Sequence, residues 1–152
     1  MPPDEVILLK LVWHPDDIDK VSNMVNPAAF RRDDLTGQHG AHISVDRSDM
    51  AKRACMETLA DEQAKKANGR DILREQAKIV ELGCEAVRSS EHQGTRLFSV
   101  SSFPKDGNPA HCGIHSNAVV PRRGSAMDQM RGELAKLSSP PADFDKVYAQ
   151  SR

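Results

Sequence analysis

Apolar and polar positions follow two different periods along this chain, and the switches between them predict its elements. Residues 5–13 (EVILLKLVW) are apolar almost without a break and rich in branched side chains, which predicts a buried strand ending at His14-Pro15. From Asp16 to Gly40 short apolar stretches alternate with turn formers such as Asn26-Pro27, Gly37 and Gly40, so loop and one short helix are expected there. His42–Asp46 (HISVD) alternates residue by residue, the period of a strand that turns Ile43 and Val45 inward.

The period then lengthens. Ser48 can cap a helix over 49–67, where Met50, Ala54, Cys55 and Leu59 recur at helical spacing, and Asn68-Gly69 should end it. A second helix is expected over 71–88 with Ile72, Ile79, Val80, Gly83 and Val87 as its inner stripe. Residues 95–103 and 110–120 return to strand composition around the turn formers Pro104-Lys105-Asp106-Gly107-Asn108-Pro109, which predicts an antiparallel hairpin. A last helix over 125–138 follows, with Met127, Met130, Leu134 and Leu137 on one face and Pro140-Pro141 beyond it. The tail 142–152 either docks through Phe144, Val147 and Tyr148 or frays.

This order of elements predicts an α+β fold, a small, mostly antiparallel sheet covered on one face by two or three helices. Residues 1–141 are expected to form one domain and 142–152 a polar tail. The 152-residue length and a composition of 38% hydrophobic and 28% charged residues fit one compact core. A net charge of −1 and only 4% aromatic residues argue against nucleic acid as a partner. The longest apolar run is too short to cross a bilayer, and the Met-Pro-Pro-Asp-Glu start lacks the basic and cleavage features of a signal peptide, so a cytoplasmic location without membrane contact is expected. Cys55, Cys84 and Cys112 are odd in number and widely spaced, which argues against a disulfide framework. Cys55 and Cys84 read as small buried hydrophobes.

Four of the six histidines fall in two short segments, His39/His42 and His111/His115. Along a strand from 110 to 116, His111, Gly113 and His115 share one face while Cys112 and Ile114 point away. The bare Cα of Gly113 then leaves a gap for a ligand. Along the HISVD strand His42, Ser44 and Asp46 share a face opposite Ile43 and Val45. If the two strands are neighbours, three histidines, a serine and an aspartate merge into one polar face. Imidazoles titrate near neutral pH, so such a face can take a proton at one ring, give one at another and hold a phosphoryl oxygen with the hydroxyl. A zinc site drawn from His39, His42, His111, His115 and Cys112 is the weaker alternative, because Cys112 faces the wrong way and no recognised ligand spacing is present. No metal and no cofactor are expected. The plainest account is a set of polar residues on a half-exposed sheet.

The triplet His42-Ile43-Ser44 resembles one of the two His-x-Ser/Thr motifs of the two-histidine phosphoesterases; His111-Cys112-Gly113 has the second histidine but lacks the hydroxyl. Over a longer stretch, Asn26-Pro27-Ala28-Ala29-Phe30, His42-Ile43-Ser44-Val45-Asp46 and Asn108-Pro109-Ala110-His111-Cys112-Gly113-Ile114 resemble a family of small uncharacterised bacterial proteins with an Ala-Phe, a Ser-Val-Asp and an Asn-Pro-Ala-His element across residues 10–137. That resemblance implies bacterial origin, supports the strand assignments and directs attention to Phe30, Ser44, Asp46, Asn108 and His111.

With no complete catalytic motif, the leading expectation is a non-catalytic interaction or accessory protein with a protein partner or a second copy of itself. Arg122, Arg123, Phe144 and Tyr148 are its expected anchors. The competing expectation is a small enzyme or nucleotide-ligand binder, phosphoesterase-like or ADP-ribosyltransferase-like, that takes a small phosphate-containing ligand on the His/Ser/Asp face. The signature glutamate of the latter class has no position here.

Overall fold

The computed structural model describes residues 2–66, 74–117 and 124–149, except for the side chain of His39. Strands β1 (Ile7–Trp13), β2 (Ile43–Arg47), β3 (Ala77–Gly83), β6 (Phe98–Ser102) and β7 (His111–Ser116) form one antiparallel sheet in the order β3-β1-β2-β7-β6. The short strands β4 (Glu91–His92) and β5 (Thr95–Arg96) pair separately as a small hairpin. Among the described residues four α-helices accompany them: α1 (Arg53–Lys66), α2 (Cys84–Ser89), α3 (Gly124–Leu137) and α4 (Phe144–Tyr148). The fold is α+β, as the element order predicts.

Strand alternation sends side chains to both sides of this sheet, and both sides are covered. On the first face Leu8 and Val12 of β1, Ile43 and Val45 of β2, Val80 and Leu82 of β3, Val100 of β6, and Cys112 and Ile114 of β7 meet Met127, Met130 and Leu134 of α3. Phe30 and Leu35, from the short turns at 27–35, and Val87 of α2 complete that core. On the second face Leu9, Leu11, Ala77 and Ile79 meet Met56 and Ala60 of α1 and Phe144 and Tyr148 of α4. The expectation of helices on one face is therefore corrected: α3 lies on one side and α1 with α4 on the other.

The expected helix over 71–88 is corrected as well. Residues 71–73, including Ile72, lie outside the described residues, and Ala77–Gly83 is a strand paired with β1 along its whole length. Ile79 and Val80, read as neighbours on one helical stripe, face opposite sides of the sheet. Among the described residues of that stretch, Arg74–Gln76 forms one 3-10 turn and Cys84–Ser89 the α-helix. The α1 stripe is also shifted in phase, since the buried residues are Met56 and Ala60 while Met50 and Ala54 are exposed; Ser48 lies five positions ahead of the first helical residue. The α3 stripe matches the expected one, with Met127, Met130 and Leu134 buried and Leu137 partly so.

The outer edge of β3 is closed by the segment after α3. Ile79 and Ala142 exchange two backbone hydrogen bonds of 2.9 Å, the Glu81 amide donates to Ser139 Oγ at 2.8 Å, and the Ser139 amide donates to the Glu81 carbonyl at 2.9 Å. This pairing leads the chain directly into α4, so the tail docks through Phe144 and Tyr148, both buried. Among the described residues no helix is long and apolar enough to cross a membrane.

Candidate functional site

The β2–β7 pairing builds the site. Ser44 stands opposite Gly113 and Asp46 opposite His111, so Ser44, Asp46, His111 and Gly113 share the second face of the sheet. β6 adds Ser99 opposite His115 and Ser101 opposite Gly113. His42, just before β2, lies over the same face, its ring centroid 5.4 Å from that of His111 and 5.5 Å from that of His115. The polar residues that alternation placed on two separate strands thus converge, and the hairpin supplies Ser101 and Phe103, to which the sequence reading gave no role. Their signal was the same alternation, carried one strand further across the hairpin.

Gly113 has a different purpose from the one expected. A Cβ there would lie 2.9 Å from His42 Cγ and 3.0 Å from both His42 Cβ and His115 Nε2, closer than real Cβ contacts allow. The glycine makes room for His42, so the expected ligand gap is filled by an imidazole of the protein itself.

Two of the rings are each fixed by a backbone carbonyl. His42 Nδ1 donates to the Gly40 carbonyl at 2.9 Å, and His111 Nδ1 donates to the Phe103 carbonyl at 2.7 Å. A carbonyl only accepts, so in the neutral rings Nε2 carries the lone pair. His115 Nε2 is 2.9 Å from the Ser101 hydroxyl. His111 Nε2 is buried and has no partner among the described residues, an acceptor held ready but unused. Phe103 stacks at a tilt on His42, with centroids 4.8 Å apart, and remains 44% exposed.

Burial grades across the face. Asp46 and His111 retain only 4% and 5% of their exposure, His42 and His115 are half-buried, and Ser44 and Ser99 are open to solvent. The loop at 104–109 covers the closed end. Gly107 takes a left-handed φ of 79°, and its carbonyl accepts from the Cys55 thiol of α1 at 3.2 Å, which ties the loop to the helix. Asn108 reaches under the loop, where its Nδ2 donates to Asp46 Oδ1 at 3.0 Å and its Oδ1 accepts from the Ala110 amide at 3.2 Å.

Electrostatics follow from this burial. Desolvation raises the Asp46 carboxyl above the ordinary value, against the opposing hydrogen bond from Asn108 and the charges of His111 and Lys105. Desolvation lowers the His111 ring, with its bond to the Phe103 carbonyl and the Asp46 charge opposing and Lys105 and His42 adding to the shift. His115 is lowered chiefly by burial and next by His42. Three imidazoles this close also disfavour multiple protonation. Burial thus favours the neutral forms of His111 and His115, and His111 keeps a free Nε2 acceptor.

Other expected residues lie elsewhere. Phe30 is fully buried on the first face, and Arg122 and Arg123 lie outside the described residues. Phe144 and Tyr148, expected as surface anchors, are spent on the core under α1. Cys112 belongs to the first-face core, on the far side of the sheet from the histidines. Among the described residues no three His, Cys, Asp or Glu side chains are arranged to hold a metal ion. No protein family matches this chain, and neither does any curated protein or solved structure.

Proposed function

We propose that this protein binds a small phosphate-bearing ligand on the polar half of the second sheet face and exchanges protons with it through His42 and His111. One observation carries the reading: the imidazoles of His42, just before β2, and His111 of β7, 5.4 Å apart, are each anchored through Nδ1 to a carbonyl, which leaves both Nε2 atoms for acid–base work. His42 is the ring a ligand reaches first. Ser44 and the half-buried Ser101 offer hydroxyls beside it, Lys105 supplies positive charge, and the exposed face of Phe103 suits a nucleobase or another flat group. Asp46, held by Asn108, lies buried beside His111 beneath this rim. The test uses a nucleoside 2′,3′-cyclic phosphate. Addition should shift the ring resonances of His42 and His115, and any slow hydrolysis should vanish in His42→Ala; unmoved resonances at saturating ligand contradict the reading.

A second reading is favoured by Phe103 itself, an exposed aromatic at the end of the edge strand β6, which suits an interaction or accessory protein. Phe103→Ala with His42 intact separates the two. Under the ligand reading it should weaken binding of the cyclic phosphate without abolishing the His42 response, and under the interaction reading it should abolish capture of a protein partner.

A further inference from the structure

The central strands of the sheet part company after two residues. β1 is paired with β3 from Ile7↔Gly83 to Trp13↔Ala77, whereas it is paired with β2 only at Leu8↔Arg47 and Leu9↔Asp46. Lys10 is the first residue beyond the point where this ladder opens. Alternation turns it to the first face, between the core residues Leu8 and Val12, where an unpaired amine is costly. It is nonetheless half-buried there, with its Nζ 5.6 Å from the centre of the fully buried Phe30 ring. Its one hydrogen bond among the described residues is a long 3.4 Å contact to the Leu11 carbonyl. No described carboxylate forms an ion pair with it, although Asp17 and Asp34 are near enough to influence its charge.

Those surroundings favour the neutral amine. Burial lowers the Lys10 ammonium, and Arg31 lowers it further, against the opposing charges of Asp17 and Asp34. Burial also raises the carboxyls of Asp17 and Asp34. Asp17 Oδ2 is occupied by the Trp13 amide at 2.8 Å, which leaves Asp34 as the freer acid. A lysine stripped of its ion pair, with a carboxylic acid in electrostatic reach, is the arrangement that amine nucleophiles use.

We propose that Lys10 is a nucleophilic amine that condenses with a small aldehyde or ketone entering the fork between β1 and β2. The Nζ lone pair forms a C–N bond to the carbonyl carbon, and the carbonyl electron pair moves to oxygen, which gains a proton. The resulting carbinolamine gives up its N–H proton and loses its hydroxyl as water, with the proton for the leaving water coming from Asp34. The products are a Lys10 imine and one water molecule. The Phe30 ring 5.6 Å from Lys10 Nζ makes its surroundings apolar, which favours an aromatic or aliphatic carbonyl compound over a charged one.

The experiment treats the folded protein with benzaldehyde near neutral pH in the presence of cyanoborohydride, which reduces imines to stable amines, and maps the labelled lysines by peptide mass spectrometry. Lys10 should be labelled several-fold faster than the exposed Lys52 and Lys105, because burial favours its free-amine form. The advantage should disappear in urea and should survive in His42→Ala, which keeps this test separate from the site on the other face. Lys10→Arg, checked for folding by its melting curve, should show only the slow labelling of the exposed lysines. Labelling of Lys10 at or below the rate of Lys52 and Lys105 would overturn the proposal.

Discussion

The second face of the sheet has two halves that follow the same strand period and serve different ends. Under α1 and α4 it presents Leu9, Leu11, Ala77 and Ile79 to Met56, Ala60, Phe144 and Tyr148. Two strands away the same alternation presents Ser44, Asp46, His111 and His115 to a loop and to solvent. The apolar half is held by side-chain burial, the polar half by hydrogen bonds to backbone carbonyls and by the fit of His42 over Gly113. A sheet face can thus be core at one end and chemistry at the other, divided at the β1–β2 boundary where Leu9 stands opposite Asp46.

That comparison breaks most visibly in the apolar half. Ile79→Ala removes a fully buried side chain and should cost about 2–5 kcal/mol in chemical denaturation, a substantial part of the stability of a domain this size. A loss below about 1 kcal/mol would mean that α1 and α4 do not seal this half as described.

Gly113→Ala probes the fit in the polar half. The new methyl group forces His42 off its seat, so a loss of roughly 1–3 kcal/mol is expected together with a displaced His42 resonance. Adding His42→Ala should recover part of the loss, because it removes the ring contact and leaves those with His42 Cβ and His115 Nε2. Equal losses in the single and double variants would place the strain in the β7 backbone instead.

Acid should loosen the polar half first. His111 and His115 are held below the ordinary 6.5, so each is neutral in the fold more persistently than in the unfolded chain. Their contribution is whole above 6.5 and is lost as pH falls through the folded values, while Asp46, shifted upward from 3.8, contributes most at low pH and less as pH rises. Stability should therefore decline below about pH 6.5, and His111→Gln should flatten the decline. A slope unchanged by that substitution would remove His111 as its source. The smallest effect is expected from Ser44→Ala on the open rim, within about 0.5 kcal/mol in the same denaturation assay, with its consequence confined to ligand affinity.

The site was more legible than the layer that supports it. Period-two alternation in His42–Asp46 and around Gly113 was enough to put Ser44, Asp46, His111 and His115 on matching faces, because a strand's register fixes direction without any knowledge of the partner. What alternation could not supply was the third dimension. Nothing in a sequence period says that His42 would fill the space above Gly113, or that Asn108 would turn back to Asp46. β3 was misread for a related reason. Ala77–Gly83 is apolar on both faces, and a strand buried on both sides loses the alternation that distinguishes it from a helix; the adjacent β-branched Ile79 and Val80 were the available signal. Lys10 looked like an interruption in an apolar strand, and its setting at the opening of the β1–β2 ladder depends on pairing that only the fold defines.

The account rests most heavily on His42 and His111 acting as a pair with free Nε2 atoms, and imidazole nitrogen NMR tests this directly. Spectra of the protein with selectively labelled histidine should show the neutral form of each ring carrying its proton on Nδ1, and a nucleoside 2′,3′-cyclic phosphate should perturb the His42 Nε2 resonance and, to a lesser degree, that of His111. Rings protonated on Nε2, or resonances indifferent to saturating ligand, would contradict the assignment of this face as an acid–base site.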